Sequence, residues 1–177
     1  MRDQLLYFLQ NPSRESFLAL RSEAMRQDGF HPYDDSLDGV PVMLADGDYA
    51  GAVELIRAHL IPGYLLSPGA HWSLGYGLKM LGDEKGEKFE FSLGQQLLNG
   101  IQLTGEGTES SPWLISRTSD AHDVLLFLGQ KLKEQALVKS EGRTMDRMET
   151  VTGGIYYFDV TDMMTALTKR MGGLFEE

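Results

Sequence analysis

The residues able to carry chemistry are few. His31, His59, His71 and His122 are the only histidines, and no two stand at the i, i+4 spacing with which a helix presents a metal site. His71 is the catalytic candidate among them, because it follows Ser67-Pro68-Gly69 and precedes Trp72, a loop able to fix an imidazole as a general base. Gly105-x-Gly107, followed by Thr108, Ser110 and Ser111, offers amides and hydroxyls of the type that cradle phosphate. Glu106 and Glu109 repel an anion, and no lysine follows, so turn chemistry is the better reading there. Asp34, Asp35 and Asp38, or Asp46 and Asp48, bring several carboxylates together. Neither set completes a calcium loop with a terminal bidentate glutamate. There is no G-x-S-x-G elbow to expose a nucleophilic serine. No metal, cofactor or catalytic set is therefore expected. The residues assigned to binding are Phe30, Tyr33, Asp34 and Asp35 in a Pro- and Asp-rich loop, with Gly105, Glu106 and Gly107 in the turn.

Positioning these residues falls to a chain that changes its hydrophobic period at Thr104 to Pro112. Before it, apolar residues recur at helical spacing. Helices are expected over Asp3 to Gln10, over Ser13 to Gln27 with Asn11 as its cap, over Val40 to Leu44, and over Tyr49 to Leu60 with Asp48 as its cap. Two more are expected from about Ala70 to Leu81 and from Glu87 to Ile101, the latter with Phe89, Leu93, Leu97 and Ile101 on one stripe. Gly47-Asp48 and Gly82-Asp83 lie 35 residues apart, near the roughly 34-residue period of tetratricopeptide units. Each glycine is suited to end one helix and each aspartate to cap the next, which predicts two helical hairpins.

After the switch, Trp113 to Thr118 reads as a strand, followed by a helix from Asp120 to Lys133 capped by Ser119, with Asp120 and Asp123 at its positive end and Lys131 and Lys133 at its negative end. Strands follow at Ala136 to Lys139, Arg147 to Val151 and Ile155 to Val160, and a last helix at Asp162 to Arg170. The fold class is α+β: N-terminal helical hairpins with tetratricopeptide-like packing, then a small antiparallel sheet with one or two helices. One compact domain over 1–177 is expected, with a helical half over residues 1–103 and an α/β half over residues 113–171.

Composition narrows the function. The net charge of -10, from 26 acidic against 16 basic residues, opposes a nucleic-acid backbone and suits a basic protein partner. With no cysteine, disulfides and thiolate chemistry are excluded. No apolar run reaches the ~18 residues of a membrane span, and the N-terminus does not resemble a secretion signal, so a cytoplasmic location is expected.

Several landmarks together resemble a bacterial family known as domain of unknown function 4919. They are His71, Gly82-Asp83, the Gly105-Glu106-Gly107 turn with Ser110, the stretch Ser119 to Gln135 leading to Leu137, and Asp146 before Tyr157-Phe158-Asp159. Glu106 stands where that family is expected to carry aspartate. The resemblance implies an α+β body and no catalytic residue. The functional expectation is a non-enzymatic acidic protein-binding module, such as an immunity-type inhibitor of a bacterial toxin. The alternative is a small hydrolase or transferase with its site between the two halves, using His71 with Glu106 or Asp120.

Overall fold

Helix boundaries follow from which side chains can satisfy the free amides of a first turn. In a computed structural model that describes residues 1–165, α1 spans Arg2–Gln10 and α2 spans Arg14–Met25. The cap of α2 is Ser13, not Asn11: Ser13 and Ser16 exchange side chain to backbone bonds of 3.0 and 3.2 Å. Asn11 turns back instead, donating its amide to the Tyr7 carbonyl at the end of α1.

The two expected hairpins form. They are α3 (Val40–Ala45) with α4 (Tyr49–His59), and α5 (Pro68–Met80) with α6 (Glu84–Gln102). Their joints repeat atom for atom. Gly47 and Gly82 adopt φ of +83° and +82°, the Asp48 and Asp83 amides each reach a carbonyl at 2.9 Å, and each carboxylate caps a glycine three residues on. A Cβ at Gly51 or Gly86 would lie 2.3 or 2.5 Å from that carboxylate, so glycine at this offset is what lets the cap close.

On α6, Leu93, Leu97 and Ile101 are buried as the i+4 stripe requires, whereas Phe89 is 61% exposed. The aliphatic stripe packs with Phe8, Phe17 and Leu20 of the first two helices, and with Ile115, Val124, Leu125, Met148 and Phe158 from the C-terminal half. One core thus joins both halves. At about 2 kcal/mol for each fully buried large aliphatic side chain, it is the main tie between them. A smaller cluster, Val40, Ala52, Val53, Ile56, Leu74 and Leu78, holds α3, α4 and α5 together.

The sheet runs β1 (Trp113–Leu114), β4 (Ile155–Asp159), β3 (Arg143–Thr150), β2 (Leu132–Ser140) in spatial order. β2, β3 and β4 are antiparallel neighbours as expected, but β1 pairs parallel to β4, so the sheet is mixed. β1 is also shorter than the expected strand, because the Ser116 and Arg117 amides turn to the carboxylate of Asp120 and leave the ladder. Glu141 and Gly142, both at positive φ, make the tight turn between β2 and β3.

Helix α7 (Thr118–Phe127) ends well before the expected Lys133. Gly129 sits at φ +66°, and the Gln130 amide closes on the Leu125 carbonyl at 2.9 Å, a left-handed stop that frees the chain for β2. Lys131 and Lys133 therefore do not sit at a helix end; Lys133 pairs across the sheet with Glu149. The chain is helical again from Thr161 to Thr165. The expected continuation to Arg170 lies outside the described residues. Among the described residues no helix is long and apolar enough to cross a membrane.

Candidate functional site

Where the helical half meets α7, Arg117 is almost wholly buried and organises the junction. One guanidinium nitrogen donates to the carbonyls of His31 at 2.9 Å and Gly63 at 3.0 Å, and the other to that of Asp34 at 2.5 Å. Its central carbon lies 3.7 Å from the centroid of the Tyr64 ring, a cation–π contact. The Tyr64 hydroxyl donates to the same Asp34 carbonyl at 2.6 Å. Guanidinium planarity suits this task, since three carbonyls from two separate segments of the chain are gathered by one rigid fork.

In front of this hub opens a cleft of about 370 Å³. Asp34, Asp38, Tyr64, Ser67, Ser119 and Asp123 supply its polar wall, and among the described residues no lysine or arginine lines it. Burial opposes ionisation of Asp34, but the hydroxyl and amide of Ser36, at 2.5 and 2.9 Å, together with the Arg117 charge, hold its carboxyl below the usual range. Asp123 behaves oppositely. Burial pushes it up to about 6, against the Gly69 amide at 2.8 Å and the Ser67 hydroxyl that favour its charge. A Cβ at Gly69 would come within 2.3 Å of the Asp123 carboxylate, so glycine there admits this contact across the halves.

Behind the cleft, Asp120 is fully buried. Its Oδ2 accepts from the amides of Ser116 and Arg117 at 3.0 and 2.9 Å, while Oδ1 has no partner among the described residues.

The sequence-assigned residues are dispersed by the fold. Asp34 lines the cleft. Asp35 is exposed outside it, and Phe30 is 3% exposed, an anchor for the loop rather than a contact surface. Tyr33 is 42% exposed and belongs to a different cavity. Gly105 and Gly107 serve packing. The Trp113 indole donates to the Gly105 carbonyl at 3.0 Å, and its ring fills the space 2.5 Å from where a Gly107 Cβ would stand. The Gly107 carbonyl accepts from the Tyr157 amide at 2.9 Å, fastening the turn to β4. Glu106 is exposed on that turn and lines neither the junction cleft nor the Tyr33 cavity.

His71 is fully buried. Nε2 donates to the Leu65 carbonyl at 2.9 Å and Nδ1 lies 2.6 Å from a Glu90 carboxylate oxygen, so both ring nitrogens are occupied. The ring ties α5 to α6 and to the preceding turn. His71→Ala is expected to lower unfolding stability by about 2–3 kcal/mol through two lost bonds and a cavity. Urea unfolding checks this, and an unchanged midpoint would show that the ring is not a staple.

Sequence reasoning missed Arg117, Tyr64, Ser67 and the inward role of Asp123. Arg117 lay inside an expected strand, and its partners are 54 to 86 residues away. Asp120 was legible in part: its place in a first helical turn was expected, but its burial and its bonds to the Ser116 and Arg117 amides were not. Among the described residues no group of three potential ligands is placed to hold a metal ion. No family model matches the chain, and no curated protein or solved structure matches it.

Proposed function

We propose that this chain is a non-enzymatic acidic protein-binding module that docks a basic protein partner at the junction cleft, in the manner of an immunity-type inhibitor of a bacterial toxin. The observation that carries the reading is the cleft wall: Asp34, Asp38 and Asp123 face one cavity whose lining among the described residues includes no lysine or arginine, in a chain of net charge -10. Such a cavity attracts a lysine or arginine by field and by short-range acceptors, and the acidic exterior steers a basic partner toward it. Asp34 is prepared for this role because Ser36 and Arg117 keep it ionised and in place.

Binding of an arginine-rich peptide to the intact chain tests the reading, with local charge compared against remote charge. The double variant Asp34→Asn, Asp38→Asn, which removes the same charge as the remote Glu84→Lys, is expected to weaken binding about tenfold or more, and Glu84→Lys less than about threefold. Equal losses in the two would mean that only the overall field attracts the peptide, and the cleft assignment would fall.

A further inference from the structure

The loop that supplies Asp34 to the cleft turns its neighbour Tyr33 toward a second cavity, of about 160 Å³, against the sheet. Tyr33, Thr118, Gln135, Leu137, Asp146 and Val160 line it. In the sheet register Asp146 stands opposite Leu137 of β2 and Phe158 of β4, in the middle strand of the three. Only 4% of Asp146 is exposed. The Gln135 side-chain amide donates to its Oδ2 at 2.5 Å. Among the described residues nothing donates to Oδ1, and no lysine or arginine comes within 4.0 Å of the carboxylate. Burial pushes this carboxyl up, opposed by the Gln135 bond and the neighbouring His122. A buried carboxylate without a cation is costly, and it becomes favourable when a ligand supplies the missing charge.

We propose that this notch binds a primary ammonium group, with Asp146 as counter-charge, the Gln135 carbonyl oxygen as a second acceptor and Tyr33 as an aromatic wall. An arginine fits less well. Its fork seeks both oxygens of one carboxylate, and Gln135 already occupies Oδ2. An ammonium is a compact charge that needs only Oδ1 and one more acceptor, and a tyrosine ring adds cation–π attraction. One carboxylate and one amide fall short of the six or more oxygens that calcium takes. The site does not depend on the junction cleft, which has its own lining residues.

A free alkylamine and a lysine on another protein both carry this ammonium, and two probes separate these sources. Backbone amide shifts of the intact chain are followed during titration with n-butylammonium chloride, and separately with a capped Gly-Lys-Gly peptide. Saturable shifts at Gln135, Asp146 and Val160 are expected with butylammonium. Saturation by the peptide as well assigns the notch to an exposed lysine; saturation by butylammonium alone assigns it to a small amine. Asp146→Asn is expected to weaken binding about tenfold or more, and Tyr33→Leu, at the exposed rim, about threefold. Should Asp146→Asn lose its native spectrum, Tyr33→Leu decides. The proposal is overturned by shifts that stay linear in amine concentration, or by affinities equal to wild type in the folded variants.

Discussion

Arg117→Ala is expected to lower the unfolding free energy by roughly 3–5 kcal/mol. The substitution removes three hydrogen bonds at once: the Asp34 carbonyl keeps the Tyr64 hydroxyl and the His31 carbonyl keeps the Asp34 amide, but the buried carbonyl of Gly63 loses its Arg117 donor in a junction from which Arg117 itself excludes water. Each unsatisfied buried acceptor costs about 1–3 kcal/mol, partly relieved where water enters the space left behind. The cation–π contact with Tyr64 is lost with it. Arg117→Lys is expected to rescue little, because an ammonium cannot span three acceptors in one plane or stack on the ring. Urea unfolding of the two variants measures this. A lysine variant within about 1 kcal/mol of wild type would show that the charge, and not the fork, holds the junction.

That junction also marks where the sequence stops being legible. The helical hairpins were readable because each joint is local: Gly47-Asp48 and Gly82-Asp83 encode a left-handed stop and a cap within a few residues, and the structure repeats both bond for bond. The α+β class followed from the change of hydrophobic period, since helical and strand stripes are also local signals. The stripe misled where it ran on too long. Leu125, Leu128 and Leu132 continue a helical spacing through Gly129, yet Gly129 adopts positive φ and the last leucine begins β2. The cleft was only half visible. Asp34 could be singled out from a cluster of aspartates, but its wall also comes from Tyr64, Ser67 and Asp123, which only the packing of α5 on α7 brings near. The paired glycines of the 105–107 turn looked like a ligand cradle because glycine answers two demands alike. In the fold, the demand is for space beneath Trp113.

Stability is expected to fall as pH rises from about 4 to 7, and Asp120 is the principal reason. Burial pushes its carboxyl from 3.8 up to about 7, helped by the Asp123 charge, although the Arg117 and Ser116 amides and the Arg117 guanidinium oppose the rise. Asp123, raised to about 6, acts in the same direction. A carboxyl whose pKa is higher in the folded chain than in the unfolded one binds more protons when folded, so between about pH 4 and 7 each increment of pH favours unfolding. For Asp120 the full excursion corresponds to a loss on the order of 4 kcal/mol. Asp120→Asn isolates this contribution, since its carbonyl oxygen still accepts from the Ser116 and Arg117 amides while the side chain stays neutral. The variant is expected to be about 1–3 kcal/mol more stable than wild type at about pH 8, and no more stable at about pH 5, where wild-type Asp120 is itself neutral. Urea unfolding at both pH values reads the crossing directly. Parallel curves for the two proteins would show that Asp120 ionises in the fold as it does in water, and that the unpartnered Oδ1 carries no cost.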